Sequence, residues 1–366
     1  RSALFADFVV NHLADFADLV GFVIAEFALG QVFGFVQHFV GVFLVAECFF
    51  GFVKNTHGFE DTLGGMSRCA GILYGQLIGD SLGSLVEFRS AAEIAAAYPD
   101  GVRELQDGGV FRLSAGQPTD DSEMALAMAR SIIRMGGYDA QDVLESYRRW
   151  AASDPFDIGI TCANALLHQY INPDSQANGA LMRLSPLAIL GMNLPEDTLA
   201  DLAELDCRMT HTHPLCITIN RIVAVALARA AAQELTASAL IDALLDLAPP
   251  ELRVFIEQST ERPLVSEHIG WVKLAFSYAV YELATGTDFE ESLVRTIGRG
   301  GDTDTNAAIV GAVLGGVYGS EGIPQRWRDT VEKCTPGPGT LRPRPEEYWP
   351  PADVEDMAAS LRQCGE

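Results

Sequence analysis

The sequence predicts an all-α domain over residues 66–334, flanked by two segments of different character. Three observations carry this. Apolar residues recur at three- and four-residue spacing in eight segments between 67 and 318, alternating strand-like runs are scarce, and the helical segments are rich in alanine and glycine. With 48% hydrophobic and 20% charged residues, the 366-residue chain can bury a large core, which excludes disorder as its main state.

Residues 1–65 differ from the rest: they hold 13 of the 19 phenylalanines, and their only basic residues are Arg1 and Lys54. Twenty residues between Glu26 and Glu47 carry no formal charge, close to the ~20 that span a bilayer. They include Gln31, Gln37 and His38, however, their flanks are acidic, and no Lys/Arg cluster sets an orientation. We read 1–65 as an atypical hydrophobic, non-native or upstream extension rather than a membrane span, with the native domain beginning near Met66.

From Met66 onward, helices are expected over 67–79, 119–135, 139–152, 159–170, 214–233, 236–247, 270–285 and 303–318. The last is so rich in Ala and Gly that neighbouring helices can approach it closely, which places it at the domain centre. Over 335–351 the prolines remove amide donors and fix φ. That stretch is expected to be a tail wrapping the surface, followed by a short helix at 352–362; together they form a C-terminal segment, 335–366.

Charge narrows the function. With 25 Lys+Arg against 49 Asp+Glu, the net charge is −24, and binding to a nucleic-acid backbone, which needs clustered positive charge, is not expected. Seven scattered cysteines without a C-x-x-C pair fit reduced thiols in a cytoplasmic protein better than disulfides or a zinc site.

Two helix starts carry dense acid. Thr119-Asp120-Asp121-Ser122-Glu123 opens one, and capping alone accounts for much of it: Thr119 or Asp120 as N-cap, with Glu123 completing a capping box. Gly298-Arg299-Gly300-Gly301-Asp302-Thr303-Asp304-Thr305 opens the other, and there capping explains one Asp at most. Bringing Asp120, Asp121, Asp302 and Asp304 together without a cation would be costly. Carboxylate and hydroxyl oxygens are hard ligands suited to Mg²⁺, Mn²⁺ or Ca²⁺, and four Asp with two Thr suffice for two ions.

Five blocks, in order, make the chain similar to the ADP-ribosylglycohydrolases, a family that includes dinitrogenase-reductase-activating glycohydrolase and the ADP-ribosyl-acceptor hydrolases. They are G-I-L-Y-G-Q-L-I-G-D-S-L-G-S-L-V-E-F (71–88), T-D-D-S-E-M-A-L (119–126), D-P-F-D-I-G-I-T (154–161), A-N-G-A-L-M-R-L-S-P (177–186) and G-R-G-G-D-T-D-T-N-A-A-I-V-G-A (298–312). The resemblance covers roughly 67–330. It implies a compact orthogonal helical bundle and hydrolysis of an ADP-ribosyl linkage, with two Mg²⁺ or Mn²⁺ ions held by Thr119, Asp120, Asp121, Asp302, Asp304 and Thr305. The substrate it implies is an ADP-ribosylated protein or a small ADP-ribose derivative; the chain is expected to act as a monomer.

Carried over in the same way, Glu87 matches a glutamate that helps catalysis at the metal site. Asp157 matches an aspartate assigned to water activation or acceptor contact, although an ordinary N-cap is its plainer role. Ser175, Asn178 and Gly179 would face the pyrophosphate, and the glycines Gly300 and Gly301 the substrate. His211 matches a histidine that contacts ADP-ribose in some relatives, with His213 two residues away as a competing match, and Asp80 supports structure near the site. Two positions depart from the family: Ile160 stands where Asn is usual, and Ala177 replaces the first Gly of G-N-G.

The D-P-F-D-I-G block leans weakly toward an arginine-linked acceptor, with serine-linked ADP-ribose, O-acetyl-ADP-ribose and modified nucleic-acid ends left open. An all-α prenyl-diphosphate lyase or transferase also uses Asp-rich Mg²⁺ motifs, but those lie mid-helix rather than after a glycine loop. A non-catalytic, crystallin-like member is a third reading, opposed by the intact Asp and Thr set.

Overall fold

The computed structural model describes residues 64–366, and among them every regular element is a helix. The extension read over 1–65 lies outside the described residues, save for Gly64 and Gly65. Helix α1 covers 64–83, α2 Ala91–Ala97, α3 Asp120–Met135, α4 Ala140–Ala152 and α5 Ile160–His168. Then follow α6 Ser185–Leu190, α7 Glu196–Arg208, α8 Pro214–Gln233, α9 Ala237–Leu247 and α10 Pro250–Glu261. Last come α11 Val272–Thr285, α12 Phe289–Ile297, α13 Thr303–Tyr318, α14 Gln325–Lys333 and α15 Val354–Gln363. Each expected helix is present; α2, α6, α7, α10, α12 and α14 are additional.

The centre is α13, buried from Thr303 to Val317, against which α3, α8, α11 and α12 pack. Its closest neighbour is α1. On α1, Gly71, Gly75, Gly79 and Gly83 recur every fourth residue and face Gly315, Gly311, Ala307 and Thr303 of α13 in antiparallel order. A Cβ at Gly75 would lie 1.9 Å from the Gly311 carbonyl oxygen, and one at Gly315 1.9 Å from that of Gly71, so the two backbones touch along four turns. At the end of this seam the Thr303 hydroxyl donates to the Gly83 carbonyl at 2.7 Å. The last turn of α1 and the first turn of α13 are thereby fixed side by side.

Because no neighbouring side chain can yield along the seam, Gly75→Val should destabilise the fold by at least about 3 kcal/mol, the upper range for overpacking. Gly137→Ala, with nothing within 4 Å of its Cβ, should leave the thermal midpoint unchanged. Thermal unfolding of the two variants checks this.

Helix α8 is long and apolar enough to cross a membrane, with a mean hydropathy of 1.6 over its best window, but 72% of that window is buried among α6, α7, α9 and α13. It is a core helix. The proline-rich stretch 335–351 does run over the surface, but it also sends Arg344 and Tyr348 into the interior.

Candidate active site

The first turn of α3 is capped from outside. Thr119 is its N-cap yet makes no side-chain cap bond. Instead Asp80, in the last turn of α1, accepts from the Thr119 amide at 3.0 Å, the Thr119 hydroxyl at 2.9 Å and the Ser122 amide at 3.0 Å. A borrowed carboxylate thus satisfies the orphan N–H groups of the helix start. The capping box expected from Glu123 is not formed, because Glu123 accepts from the Trp150 indole at 2.7 Å and pairs with Arg344. Asp120 and Asp121 are therefore free of capping work.

The two acidic segments converge. Asp121 Oδ2 accepts from the Thr119 hydroxyl at 3.0 Å and from that of Thr305 at 3.4 Å, joining the 120s to the 300s. Asp120 Oδ2 accepts from the Gly159 amide at 3.0 Å, and Asp302 Oδ2 from the Asn178 amide group at 2.7 Å. Oxygens of Glu87, Asp302 and Asp304 lie within 4.8 Å of one another.

What brings Glu87 there is the glycine pair. The Phe88 amide donates to the Gly301 carbonyl at 2.7 Å, and the Gly301 amide to the Arg89 carbonyl at 2.9 Å. Gly300, at φ 75°, comes so close that a Cβ would sit 2.5 Å from the Arg89 oxygen. Gly300 and Gly301, whose amides are on Ile297 and Arg89, clamp the Glu87 turn and also line a pocket beside Ile269, Tyr278 and Arg299.

Asp80, Glu87, Asp120, Asp121, Asp302 and Asp304 are all at most 9% exposed. Elsewhere the buried carboxylates Glu123, Asp206 and Glu282 each have an arginine; among the described residues these six have no ion pair. The consequence is electrostatic. Burial first, and then neighbouring carboxylates, push the Glu87 pKa up to about 8 and that of Asp157 up to about 9. Burial likewise raises Asp120 to about 7 and lifts Asp121 and Asp304 well above the usual range. Glu87 Oε2 and Asp121 Oδ1 are buried with no hydrogen-bond partner. Oxygen-only donors without a basic partner, whose ionised form burial alone disfavours, fit a hard divalent cation that would supply the missing positive charge.

Asp157 lies two residues before Gly159, whose amide is bonded to Asp120 Oδ2, and burial, then the Asp120 and Glu87 carboxylates, raise its pKa. It caps nothing, since α5 begins at Ile160 with Gly159 as N-cap.

The 175–183 loop is more committed than expected. The Asn178 amide N–H donates to the Gly270 carbonyl at 3.0 Å, its side chain holds Asp302, and the Ser175 and Thr161 hydroxyls meet at 2.8 Å. Arg183, fully buried on Asp206, grips the Gly179 carbonyl at 3.1 Å and the Thr210 hydroxyl at 3.0 Å. His211 lies beneath this loop at 0% exposure, its Nδ1 2.8 Å from the Thr210 hydroxyl. A Cβ on Gly179 would come 3.2 Å from its ring. Burial, then Arg183, lowers its pKa to about 3, so the ring is neutral. It supports the loop from below and does not line the cleft. His213 is the helix cap of α8, accepting from the Leu215 amide at 3.1 Å.

Sequence reasoning missed Asn178 as the partner of Asp302, and Arg183 and Arg344 as buried anchors. No local pattern marks an arginine that pairs across 23 or 221 residues.

A family model described as ADP-ribosylglycohydrolase matches residues 61–363. ADP-ribosyl-(dinitrogen reductase) glycohydrolase of Rhodospirillum rubrum is 34% identical over 282 residues, 72% of this chain and 90% of its own. ADP-ribosylarginine hydrolase Tri1 of Serratia proteamaculans is 26% identical over 286 residues, 73% of this chain and 75% of its own. A solved structure described as an ADP-ribosylglycohydrolase-related protein complex aligns with a TM-score of 0.66 and 28% identity, over 83% of this chain and 99% of its own.

Proposed function

Since the chain belongs to the ADP-ribosylglycohydrolase family and is a glycohydrolase of that kind, we propose that it releases ADP-ribose from arginine side chains of modified proteins, with two Mg²⁺ or Mn²⁺ ions. One observation carries this reading: six buried carboxylates, from the end of α1 and the turn after it, the first turn of α3 and the start of α13, gather without a basic partner. Thr119, Asp120, Asp121, Asp302, Asp304 and Thr305 would hold the ions, with Glu87 beside Asp302 and Asp304. When bound, these supply Lewis acidity at the ribose hydroxyls.

The chain's own groups do the rest. Breaking the glycosidic bond builds positive charge at the anomeric carbon, which the negative charge of nearby ionised carboxylates stabilises. Asp157, in its ionised form, would accept the proton of the attacking water as the water oxygen bonds the anomeric carbon, and the electron pair of the broken C–N bond leaves with the guanidine nitrogen. A guanidinium acceptor suits an acidic cleft, and the Serratia relative is an ADP-ribosylarginine hydrolase. Ser175 and Gly179 keep the pyrophosphate side, while Asn178 holds Asp302 in place.

Release assays on arginine- and serine-linked substrates, side by side, test the reading. Mg²⁺ or Mn²⁺ should support release from arginine, and chelation should stop it. Faster release from serine overturns the acceptor assignment; release that survives chelation overturns the metal.

A further inference from the structure

The loop that carries Asp157 is tied at both ends to α3. At its far end the Gly159 amide donates to Asp120 Oδ2. At its near end stands an arginine from the C-terminal strap. Arg344, 6% exposed, lays Nε and Nη2 across the Glu123 carboxylate at 2.8 and 2.7 Å. That pair alone would join the strap to α3. The same guanidinium does more: Nη1 donates to the Ser153 carbonyl at 3.1 Å and the Asp154 carbonyl at 3.4 Å, and Nη2 to the Ser153 hydroxyl at 2.9 Å. Asp154 sits at φ 56°, a left-handed turn that a side chain disfavours. Asp157 follows three residues later.

We propose that Arg344 is a positioning residue for the hydrolysis, holding the 153–159 loop so that the Asp157 carboxylate meets the acidic cluster; this rests on the role given to Asp157 above. The arginine is itself held: its amide donates to the Pro336 carbonyl at 2.8 Å, and its carbonyl accepts from the Trp349 indole at 2.9 Å. A planar fork is needed, since one group must face a carboxylate and two backbone carbonyls together.

The test uses the full chain with Glu123→Gln and Arg344→Met introduced together, so that no buried charge is left unpaired. Arg344→Lys, which keeps the charge and gives up the fork, is the second variant should the first not fold. Hydrogen exchange over 153–159 should quicken at least about tenfold, while 64–83 and 303–318 keep their protection. The kcat should fall about 10- to 100-fold with KM within about threefold, the scale for a catalytic group displaced from a distance. In an Asp157→Asn background the same replacements should cost nothing further. Unchanged exchange at 153–159, or a loss repeated in full without Asp157, overturns the proposal. If the parent chain releases no ADP-ribose from either linkage, the hydrolase reading falls, and the exchange comparison alone then decides whether Arg344 anchors the loop.

Discussion

Replacing Asp302 and Asp304 together by alanine is expected to cut ADP-ribose release on the order of 10³-fold or more, without lowering the thermal midpoint of the metal-free protein. The size follows from their position: even outer partners of a bound metal cost about 10–100-fold when removed, and these two oxygens stand within 4.8 Å of Glu87. The stability expectation follows from charge. Both carboxyls are buried, raised in pKa and without an ion pair, so losing them relieves the cost of crowding acidic groups in the metal-free protein. In the parent chain Mg²⁺ or Mn²⁺ should raise the midpoint; in the double variant that response should vanish. Turnover equal to the parent would remove the metal assignment.

The second large effect is on stability against pH. In an unfolded chain, carboxyls ionise near pH ~4. In the folded, metal-free protein Glu87 holds its proton up to about 8 and Asp157 up to about 9. Between those limits the folded state binds more protons than the unfolded one, so stability must fall as pH rises. Each proton of difference is worth about 1.4 kcal/mol per pH unit. Cations bind the ionised form and displace those protons, so the stabilisation by Mg²⁺ or Mn²⁺ should be small at pH 5 and grow toward pH 9. Calorimetric unfolding with chelator and with millimolar metal gives both curves. A flat metal-free curve would mean that these carboxyls are already ionised, and the shared acidic site would be wrong.

Much of this was legible in the sequence because it is local. The small-residue run at 303–318 announced a helix approached closely on all sides, and the structure buries it through Val317. The acidic excess at 119–123 and 302–305 announced carboxylates with more to do than capping, and neither Thr119 nor Asp302 caps with its side chain. The helices that went unread are short, or polar for most of their surface. Helix α14 buries only Trp327 and Val331, and α12 spans nine residues. What lay beyond reading was pairing at a distance. Asp80 lending its carboxylate to α3 and Arg344 reaching Glu123 depend on the tertiary fold alone, and the glycine pair before Asp302 could equally have faced a ligand or a backbone. Similarly, a histidine named from a motif proved to lie under the loop, because burial is not written in spacing.

The contact between α1 and α13 bears on how this polypeptide could be divided. Asp80 and Glu87 come from the amino-terminal side of any cut made in the exposed turn at Gly136-Gly137, and Asp302 and Asp304 from the other. Two separately produced pieces would divide the six carboxylates four to two, and the ridge-free faces built on Gly75 and Gly311 would be the surface by which they recognise one another. Recovery of hydrolysis on mixing would then report directly on backbone-to-backbone complementarity, with no side chain able to make up for a poor match.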